Sequence, residues 1–461
     1  MNPTAELLIP DVRELIKAGE YSELREALHH VPQADVADIL AELDPADAAV
    51  GFRFLQRDDA AEVFTYLTPE KQEELIGTLG TSDSVRVIEA MSADDRARIL
   101  DELPEAVAQK IVASLSPEDR KVTQAILGYP PRTVGRLMTP DYVTVRPTWT
   151  IGQALEHVRR VGRDAETINV IYVTDERGTL IDDLRLRQVL LSDPSQPIES
   201  IMNRSYVALK ADEPQDEAVR QLQRYDRVAL PVVDSRGALI GIVTHDDVAD
   251  VAQQEVTEDI QKLGGMEALE EPYISTGHVE MFRKRGFWLS VLFVGQTITI
   301  IVLGTFQSHL ERAAVLTLFL PLVISCGGNS GSQAATLVTR ALALGEVGVG
   351  DWFAIVRREL ITGLMLSAAL GTLGMICVEF FASIGHAKTD FPIRLGATVA
   401  AAIVGVVVWG TMLGSLLPLA LKRLKFDPAT ASSPMVATLM DASGTLIYLG
   451  VAVLVLTGTV L

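Results

Sequence analysis

The sequence is poor in cysteine and histidine, and each shortage excludes a class of protein. It has two cysteines in 461 residues, Cys326 and Cys377, and both lie in apolar stretches. This number excludes a disulfide framework and fits a reducing cytosol. The seven histidines are scattered, and only His29 and His30 are adjacent. Because no side chains suggest a pairing of nucleophile and base, we do not expect an enzyme.

Basic charge is also scarce, and it is unevenly distributed. There are 40 Lys and Arg against 60 Asp and Glu, a net charge of −20. Residues 286–461 hold nine basic and eight acidic residues, so the other 31 basic and 52 acidic residues leave −21 on residues 1–285. This excess argues against nucleic acid and against docking on anionic lipid, and it suits a protein that binds cations. The N-terminus carries charges where a signal peptide has its apolar core, so no cleavage is expected.

A 12-residue repeat organises residues 1–132. Apolar residues recur at this interval at Leu43, Leu55, Leu67, Leu79, Met91, Leu103 and Leu115. Most are followed by residues that can start a helix: Asp44-Pro45, Thr68-Pro69, Ser92 and Ser116-Pro117. Each repeat predicts one short helix, and together they predict a cytosolic α-helical superhelical repeat domain of either hand.

A second, degenerate repeat covers residues 133–262, with copies at about 133–197 and 198–262. The stretches IYVTDERGTLIDDLRLRQVL (171–190) and LPVVDSRGALIGIVTHDDVAD (230–250) superpose at an offset of 59 residues. In each copy an Asp-x-x-Gly turn separates two apolar runs, which predicts a hairpin followed by a helix. This α+β pattern resembles a tandem pair of CBS domains.

The resemblance to CBS domains implies a nucleotide site, since such pairs often bind adenine nucleotides in their cleft. The Thr-x-x-Asp signature for ribose is present in the second copy as Thr244 and Asp247. In the first copy Arg185 and Gln188 occupy the matching positions, and Asp182 replaces the usual glycine. The expectation is that ATP or a related nucleotide binds through the second copy.

An acidic connecting helix follows, within residues 246–280. Its predicted apolar stripe consists of Val248, Ala252, Val256, Ile260 and Leu263. Its carboxylates recur at helical spacing at Asp247, Asp250, Glu255, Glu258 and Asp259. Like charges on one face destabilise a helix unless cations neutralise them, so the face either binds cations or is merely solvated.

The transmembrane domain is predicted to occupy residues 281–461. Five apolar segments are long enough to span a bilayer: about 287–306, 313–340, 359–383, 394–421 and 434–459. Basic clusters at 283–285, 357–358 and 422–425 fall on one side if the spans alternate. The positive-inside rule then places the acidic domains in the cytoplasm and the C-terminus outside.

The second and fifth spans carry polar groups at membrane depth. The stretch GGNSGSQ (327–333) follows Pro321, and its glycines and polar residues weaken a helix, so it either lines a cavity or packs closely against another helix. A phosphate-binding loop is excluded because the lysine and the preceding strand are missing. In the fifth span Asp441 lies seven residues after Pro434, roughly 10 Å along the helix. A carboxylate at that depth is either protonated and paired across helices or part of a cation site.

The order of these parts identifies the chain as resembling the MgtE family of magnesium channels and transporters. A CBS pair alone is weak support, whereas GGNSGSQ followed about 100 residues later by Asp427-Pro428 and Asp441 is specific. The resemblance implies a homodimer with a pore between the subunits, the acidic helix serving as its plug. It also implies that Asp441 binds the cation in the pore near Gly327, Gly328 and Asn329, with Asp427 a further metal ligand.

The resemblance also implies that cytosolic Mg²⁺ closes the pore by binding carboxylates of the soluble domains. By motif position these are Asp226, Asp247, Asp250, Glu255, Glu258 and Asp259, with Glu62 and Asp94 in the helical domain. Three positions depart from the family: Ser433 replaces an asparagine, and Arg98 and Pro214 replace carboxylates.

The expected function is therefore a channel that conducts Mg²⁺ into the cytoplasm down its electrochemical gradient, because no motif for ATP hydrolysis is present. A two-fold dimer would present two copies of Asp441 to one hydrated ion, which suits the few carboxylates and several waters that Mg²⁺ prefers. Transport of Co²⁺ or Mn²⁺, and a membrane-anchored nucleotide sensor that transports nothing, remain as alternatives. A chloride channel would need basic pore residues and more helices.

Overall fold

The structure is a computed structural model that describes residues 3–269, 273–274, 276–387 and 389–457. The chain forms two compact units, Met1–Gln253 and Gln254–Leu461. The first contains the helical repeat and the CBS pair, and the second contains the spans. The multidomain architecture predicted from the sequence is confirmed.

Ten short helices build the helical repeat. They are α1 (Pro3–Ala18), α2 (Tyr21–His29), α3 (Gln33–Ala41), α4 (Pro45–Arg53), α5 (Arg57–Tyr66), α6 (Pro69–Thr78), α7 (Thr81–Ala90), α8 (Ala93–Glu102), α9 (Glu105–Ser114) and α10 (Pro117–Leu127). From α3 onward each helix begins 12 residues after the one before it, as predicted. Leu43, Leu67 and Leu115 are buried because each closes a repeat over the core between helices.

The predicted N-cap residues lie at the starts of helices, but most of them form no side-chain hydrogen bond to the helix backbone. Asp44, Thr68, Ser92 and Ser116 each directly precede a helix. However, only Ser116 of these four accepts a hydrogen bond from the backbone, the N–H of Asp119 at 3.1 Å. Ser92 instead donates its hydroxyl to Asp95 Oδ2 at 3.2 Å. The four predicted helix starts are therefore confirmed, and one of the four side chains also forms a capping hydrogen bond.

The CBS pair consists of two similar halves. The first contains α11 (Val134–Leu137), β1 (Thr144–Val145), α12 (Ile151–Val161), β2 (Val170–Thr174), β3 (Leu180–Arg185) and α13 (Leu186–Leu190). The second contains β4 (Leu209–Lys210), α14 (Gln215–Tyr225), β5 (Ala229–Val233) and β6 (Leu239–Thr244). Each half has a three-stranded sheet with one parallel and one antiparallel pairing. The predicted hairpin turns are confirmed, and Gly178 and Gly237 both adopt φ +81° in them.

The connecting helix α15 (His245–Leu263) is shorter than predicted. It ends because Gly265, at φ +77°, turns the chain in a conformation that other residues rarely adopt. Val248 of the predicted apolar stripe is buried, but Val256 and Ile260 are 59% and 64% exposed. The stripe was therefore wrong for the second half of the helix. Residues 270–272 and 275 of the predicted 246–280 segment lie outside the described residues.

Five helices of the described chain are long and apolar enough to cross a membrane. They are α16 (His278–Thr305), α18 (Val315–Ala343), α19 (Trp352–Ser383), α20 (Pro392–Arg423) and α21 (Ser433–Leu456), with the short α17 (Gln307–Arg312) after the first. Their number agrees with the prediction. The predicted weakening of the second span was wrong, because α18 continues unbroken through Pro321 and the glycines.

The glycines of α18 pack against glycines of α20. A Cβ atom on Gly410 would lie 2.4 Å from the carbonyl oxygen of Gly327, and one on Gly414 would lie 2.0 Å from that of Gly331. Two glycines four residues apart on each helix therefore bring the two backbones into direct contact. Of the two alternatives for these glycines, close helix packing is the one that the structure supports.

Candidate cation sites

The carboxyl group of Asp441 lies on α21 within the membrane domain. Gln296 of α16 donates a hydrogen bond from Nε2 to Asp441 Oδ2 at 3.0 Å. The side chain of Asp441 is half-buried, and Gln296 is exposed in the single chain. The carboxyl group is thus held by a neutral donor and is accessible from one side. Gln296 was missed in the sequence, where its signal was an amide in an otherwise apolar span.

The α18 residues predicted near Asp441 have different environments. A Cβ atom on Gly328 would lie 3.9 Å from Cα of Ala437, one helical turn before Asp441, so Gly328 borders this region. Asn329 is exposed and donates from Nδ2 to Ser325 Oγ at 3.3 Å. Gly327 is buried against Val406 and Met440, the residue before Asp441, and its place in the pore stays a prediction.

An exposed polar face runs along α18. Its members recur at helical spacing and are Ser325, Asn329, Gln333 and Thr336. A polar face on a spanning helix is costly in hydrocarbon, so it requires water or another protein surface. This face and the carboxyl group of Asp441 are polar features of the described spans, as is Glu379 of α19.

Asp427 lies in the loop before α21, where it meets the end of α15. Its Oδ1 accepts the N–H of Ala429 at 2.9 Å, and its Oδ2 accepts a hydrogen bond from Lys262 Nζ at 2.9 Å. Lys262 also lies 3.4 Å from Glu258 Oε2. Burial and the carboxylate of Asp427 raise the pKa of Asp259, and Lys262 opposes this shift. The structure therefore brings together three predicted site residues, Asp427, Glu258 and Asp259.

A separate acidic cluster lies in the first unit, between the helical repeat and the start of α15. Asp94, in the first turn of α8, is 5% exposed, and its Oδ1 has no hydrogen-bond partner among the described residues. Burial raises the pKa of Asp94, and the neighbouring carboxylate of Asp95 raises it further. Burial likewise raises the pKa of Asp247, and the carboxylate of Asp94 adds to that shift. Partial desolvation, with Asp94 and Asp246 nearby, raises the pKa of Glu166 to about 7. These carboxylates repel each other unless a proton or a cation intervenes.

Arg98 supplies a fixed positive charge at the edge of this cluster. Its guanidinium lies 2.7 Å from Asp95 and 4.0 Å from Glu102. Burial alone would lower the pKa of Arg98, but the carboxylates of Asp95, Glu102 and Asp250 raise it above its ordinary value. One predicted site residue, Asp250, therefore faces an arginine.

Two predicted residues lie apart from these groups. Glu62 and Asp226 are exposed, and neither contributes to the pKa shifts of Asp94, Asp247 or Glu166. Asp226 ends α14 in the left-handed conformation. Within the described residues, no three Asp, Glu, His or Cys side chains converge closely enough to hold a metal ion.

The predicted nucleotide signature is present, and its two residues contact each other. The Oγ1 of Thr244 lies 2.6 Å from Asp247 Oδ2. In the first copy, the buried carboxylate of Asp182 accepts the backbone N–H groups of Asn203 and Arg204 at 2.8 and 3.0 Å. The aspartate that replaces the usual glycine at residue 182 therefore links the two copies by hydrogen bonds.

The fold and these sites define a multi-pass membrane protein in which an acidic helix links soluble helical-repeat and CBS domains to spans carrying a carboxylate, as in divalent cation transporters. Residues 320–451 match the family model described as "Divalent cation transporter", residues 31–132 match the MgtE intracellular N domain, and residues 134–191 and 198–253 match CBS domains. The chain belongs to the MgtE family.

Relatives in this family are named as transporters and not as enzymes. The chain is 39% identical to the magnesium transporter MgtE of Thermus thermophilus over 351 residues, 76% of each chain. It is 30% identical to the magnesium transporter MgtE of Bacillus subtilis over 341 residues, 74% of this chain and 73% of the relative. A crystal structure of the cytosolic domain of the Mg²⁺ channel MgtE in complex with ATP has 37% identity and a TM-score of 0.51, covering 53% of this chain and all of that one.

Proposed function

We propose that the chain forms a homodimeric Mg²⁺ channel in which Asp441 binds the permeating ion. The observation that carries this proposal is the half-buried carboxyl group of Asp441, held by Gln296 within a membrane domain. A second copy related by two-fold symmetry would cover the exposed polar face of α18 and bring two Asp441 carboxylates to one axis. Two carboxylates with several retained waters match the coordination of Mg²⁺. The ion enters the cytoplasm down its gradient, and the C-terminus lies outside.

The pore proposal is tested by Mg²⁺ flux into liposomes that contain the purified full chain. Asp441→Asn keeps the shape of the side chain but removes its charge, so we expect flux to be lost while the protein remains folded. Asp390→Asn changes an exposed carboxyl group between α19 and α20 and serves as the control, with flux retained. Wild-type flux through Asp441→Asn would overturn the proposal. Competition by Co²⁺ and Mn²⁺ in the same assay decides among the divalent cations.

Closure by cytosolic Mg²⁺ is supported by the buried acidic cluster around Asp94 and Asp247. Beyond the effect of burial, Asp95 raises the pKa of Asp94 and Asp94 raises the pKa of Asp247, so the compact arrangement favours a bound cation. Because no three of them converge in the described chain, Mg²⁺ would bind through its own waters or through the partner subunit. Glu62, Asp226, Asp250 and Glu255 would contribute in the same way, whereas Glu258, Asp259 and Asp427 lie beside the ammonium of Lys262.

The closure proposal is tested by channel recording while cytosolic Mg²⁺ is raised through the millimolar range. We expect the wild type to close and the pair Asp94→Asn with Asp247→Asn to stay open. Glu73→Gln, on an exposed face of α6, is the control and should close like the wild type. Equal Mg²⁺ sensitivity in all three would exclude the cluster from gating.

A nucleotide-regulated CBS pair is a second proposal, supported by the Thr244 and Asp247 signature. The related cytosolic domain was crystallised with ATP. Calorimetry with ATP on the purified chain tests it, with Thr244→Ala expected to weaken binding. The proposal would be refuted if ATP gave no detectable heat with the wild type and also failed to compete with a fluorescent nucleotide.

A further inference from the structure

Lys262 in the last turn of α15 joins two carboxylates that are distant in the sequence. Its Nζ lies 2.9 Å from Asp427 Oδ2 and 3.4 Å from Glu258 Oε2. The side chain is only 25% exposed, so the ammonium is partly withdrawn from water. The pair with Glu258 is within one helix, whereas the pair with Asp427 crosses 165 residues and fixes the helix to the loop before α21.

The segment after Lys262 is anchored to the spans by further contacts. Gly265 turns so tightly beside α21 that a Cβ atom there would lie 3.0 Å from the ring of Pro434. Lys284 of α16 donates from Nζ to the carbonyl oxygen of Ala268 at 2.7 Å, and its own carbonyl accepts the N–H of Glu267 at 3.3 Å. Movement of the end of α15 therefore has to break contacts with both α16 and the start of α21.

The charges around Lys262 are mostly negative. Asp259 feels the carboxylates of Asp427 and Glu255 as well as the ammonium of Lys262. Glu258 adds a fourth carboxylate to this group, and Lys262 forms ion pairs with Glu258 and Asp427. Without the ammonium, their mutual repulsion would push the end of α15 away from the loop that carries Asp427.

We propose that Lys262 is a positioning residue for the gate: a tethered cation that occupies the Glu258 and Asp427 carboxylates in place of a divalent ion. This inference rests on the proposed closure by Mg²⁺. Lys262 holds the second half of α15 against the spans when Mg²⁺ is absent, so that this part of the closed arrangement forms without bound metal. Mg²⁺ is then required mainly elsewhere, and the channel closes at lower Mg²⁺ than it would without this ammonium.

The test is the Mg²⁺ concentration that half-closes the full-length channel. We expect Lys262→Gln to raise this concentration by roughly 1.5-fold to fivefold, the range for one partly exposed ion pair. The closure curve should also become steeper, because the freed carboxylates can bind an additional ion. Lys262→Arg keeps the charge and should resemble the wild type. Arg423→Gln removes an exposed charge near the same loop and is the control, with no shift.

A charge exchange separates the ion pair from other effects of the substitution. Lys262→Asp combined with Asp427→Lys should restore closure near the wild-type concentration, while either change alone should not. If Lys262→Gln does not fold, this exchange still decides the question. If the wild type closes with rising Mg²⁺ and Lys262→Gln gives an identical closure curve, the role of Lys262 is refuted. A wild type that ignores Mg²⁺ would instead refute the closure proposal on which it rests.

Discussion

Gly414→Ala provides the most direct test of the membrane fold. The new methyl carbon would lie 2.0 Å from the carbonyl oxygen of Gly331 and 2.8 Å from its carbonyl carbon. Real Cβ atoms essentially never approach within 3.0 Å, so α18 and α20 must separate by at least 1 Å at this crossing. The opposing atoms belong to a helix backbone, and no rotation of a side chain can relieve the overlap.

The cost of this separation follows from the packing that is lost. Overpacking of a well-packed interior typically costs about 1–3 kcal/mol, and a contact between two backbones lies at the upper end. About 3 kcal/mol corresponds to a change of roughly 150-fold in the ratio of folded to unfolded protein. The same displacement would move Gly328 away from Ala437, so any folded Gly414→Ala protein should also show reduced Mg²⁺ flux.

The measurement is the loss of folded protein on heating in detergent, together with flux in liposomes. Gly450→Ala is the matched control, because a Cβ atom at Gly450 would have no neighbour within 4 Å and alanine favours a helix. Gly328→Ala, with 3.9 Å available, should be tolerated nearly as well. A Gly414→Ala protein as stable as Gly450→Ala would refute the close crossing of α18 and α20.

Three further changes test the sites. Gln296→Leu removes the hydrogen bond to Asp441, and because bonds to charged groups contribute about 1.5–3 kcal/mol, we expect Mg²⁺ flux to fall by about tenfold or more, with Gln296→Asn as the control in the same liposome assay. The raised pKa values of Asp94 and Asp247 mean that protons compete with Mg²⁺, so the half-closing Mg²⁺ concentration should rise when pH falls from 8 to 6. In EDTA, where no Mg²⁺ is bound, a lower pH should instead increase the stability of the folded unit. These acids stabilise it fully below their unfolded pKa, near 4, and less as the pH rises through the raised folded pKa, which melting curves at pH 5.5 and 8 would show. Asp182→Asn weakens the acceptor for two backbone N–H groups and should lower the free energy of unfolding by about 1–3 kcal/mol, measured by thermal denaturation.

Local patterns in the sequence predict much of this fold because they are imposed by neighbouring residues. The 12-residue spacing predicts the starts of the repeat helices, and the Asp-x-x-Gly turns predict both hairpins. The starting positions of helices are predicted better than their hydrogen bonds: Thr68 precedes α6 but forms no side-chain cap. Proline at the first helical position already fixes the backbone there, so the hydroxyl group is not required.

Contacts between distant residues could not be predicted in this way. Gln296 and Asp441 are 145 residues apart, and nothing in either span specifies that they meet. The glycines of α18 were compatible with a cavity or with close packing, and only the opposing glycines of α20 decide between them. Lys262 has the same limitation, because its partner Asp427 lies beyond four of the five spans.

The carboxylates of α15 are neutralised differently at its two ends, and this difference bears on the proposed closure by Mg²⁺. Near its start, Asp247 lies close to buried Asp94, and burial followed by the carboxylate of Asp94 raises the pKa of Asp247. Near its end, Glu258 and Asp427 already share the ammonium of Lys262. Because a ligand shifts an equilibrium only by its differential affinity for the two states, the carboxylates without a fixed cation can contribute more to a Mg²⁺ response.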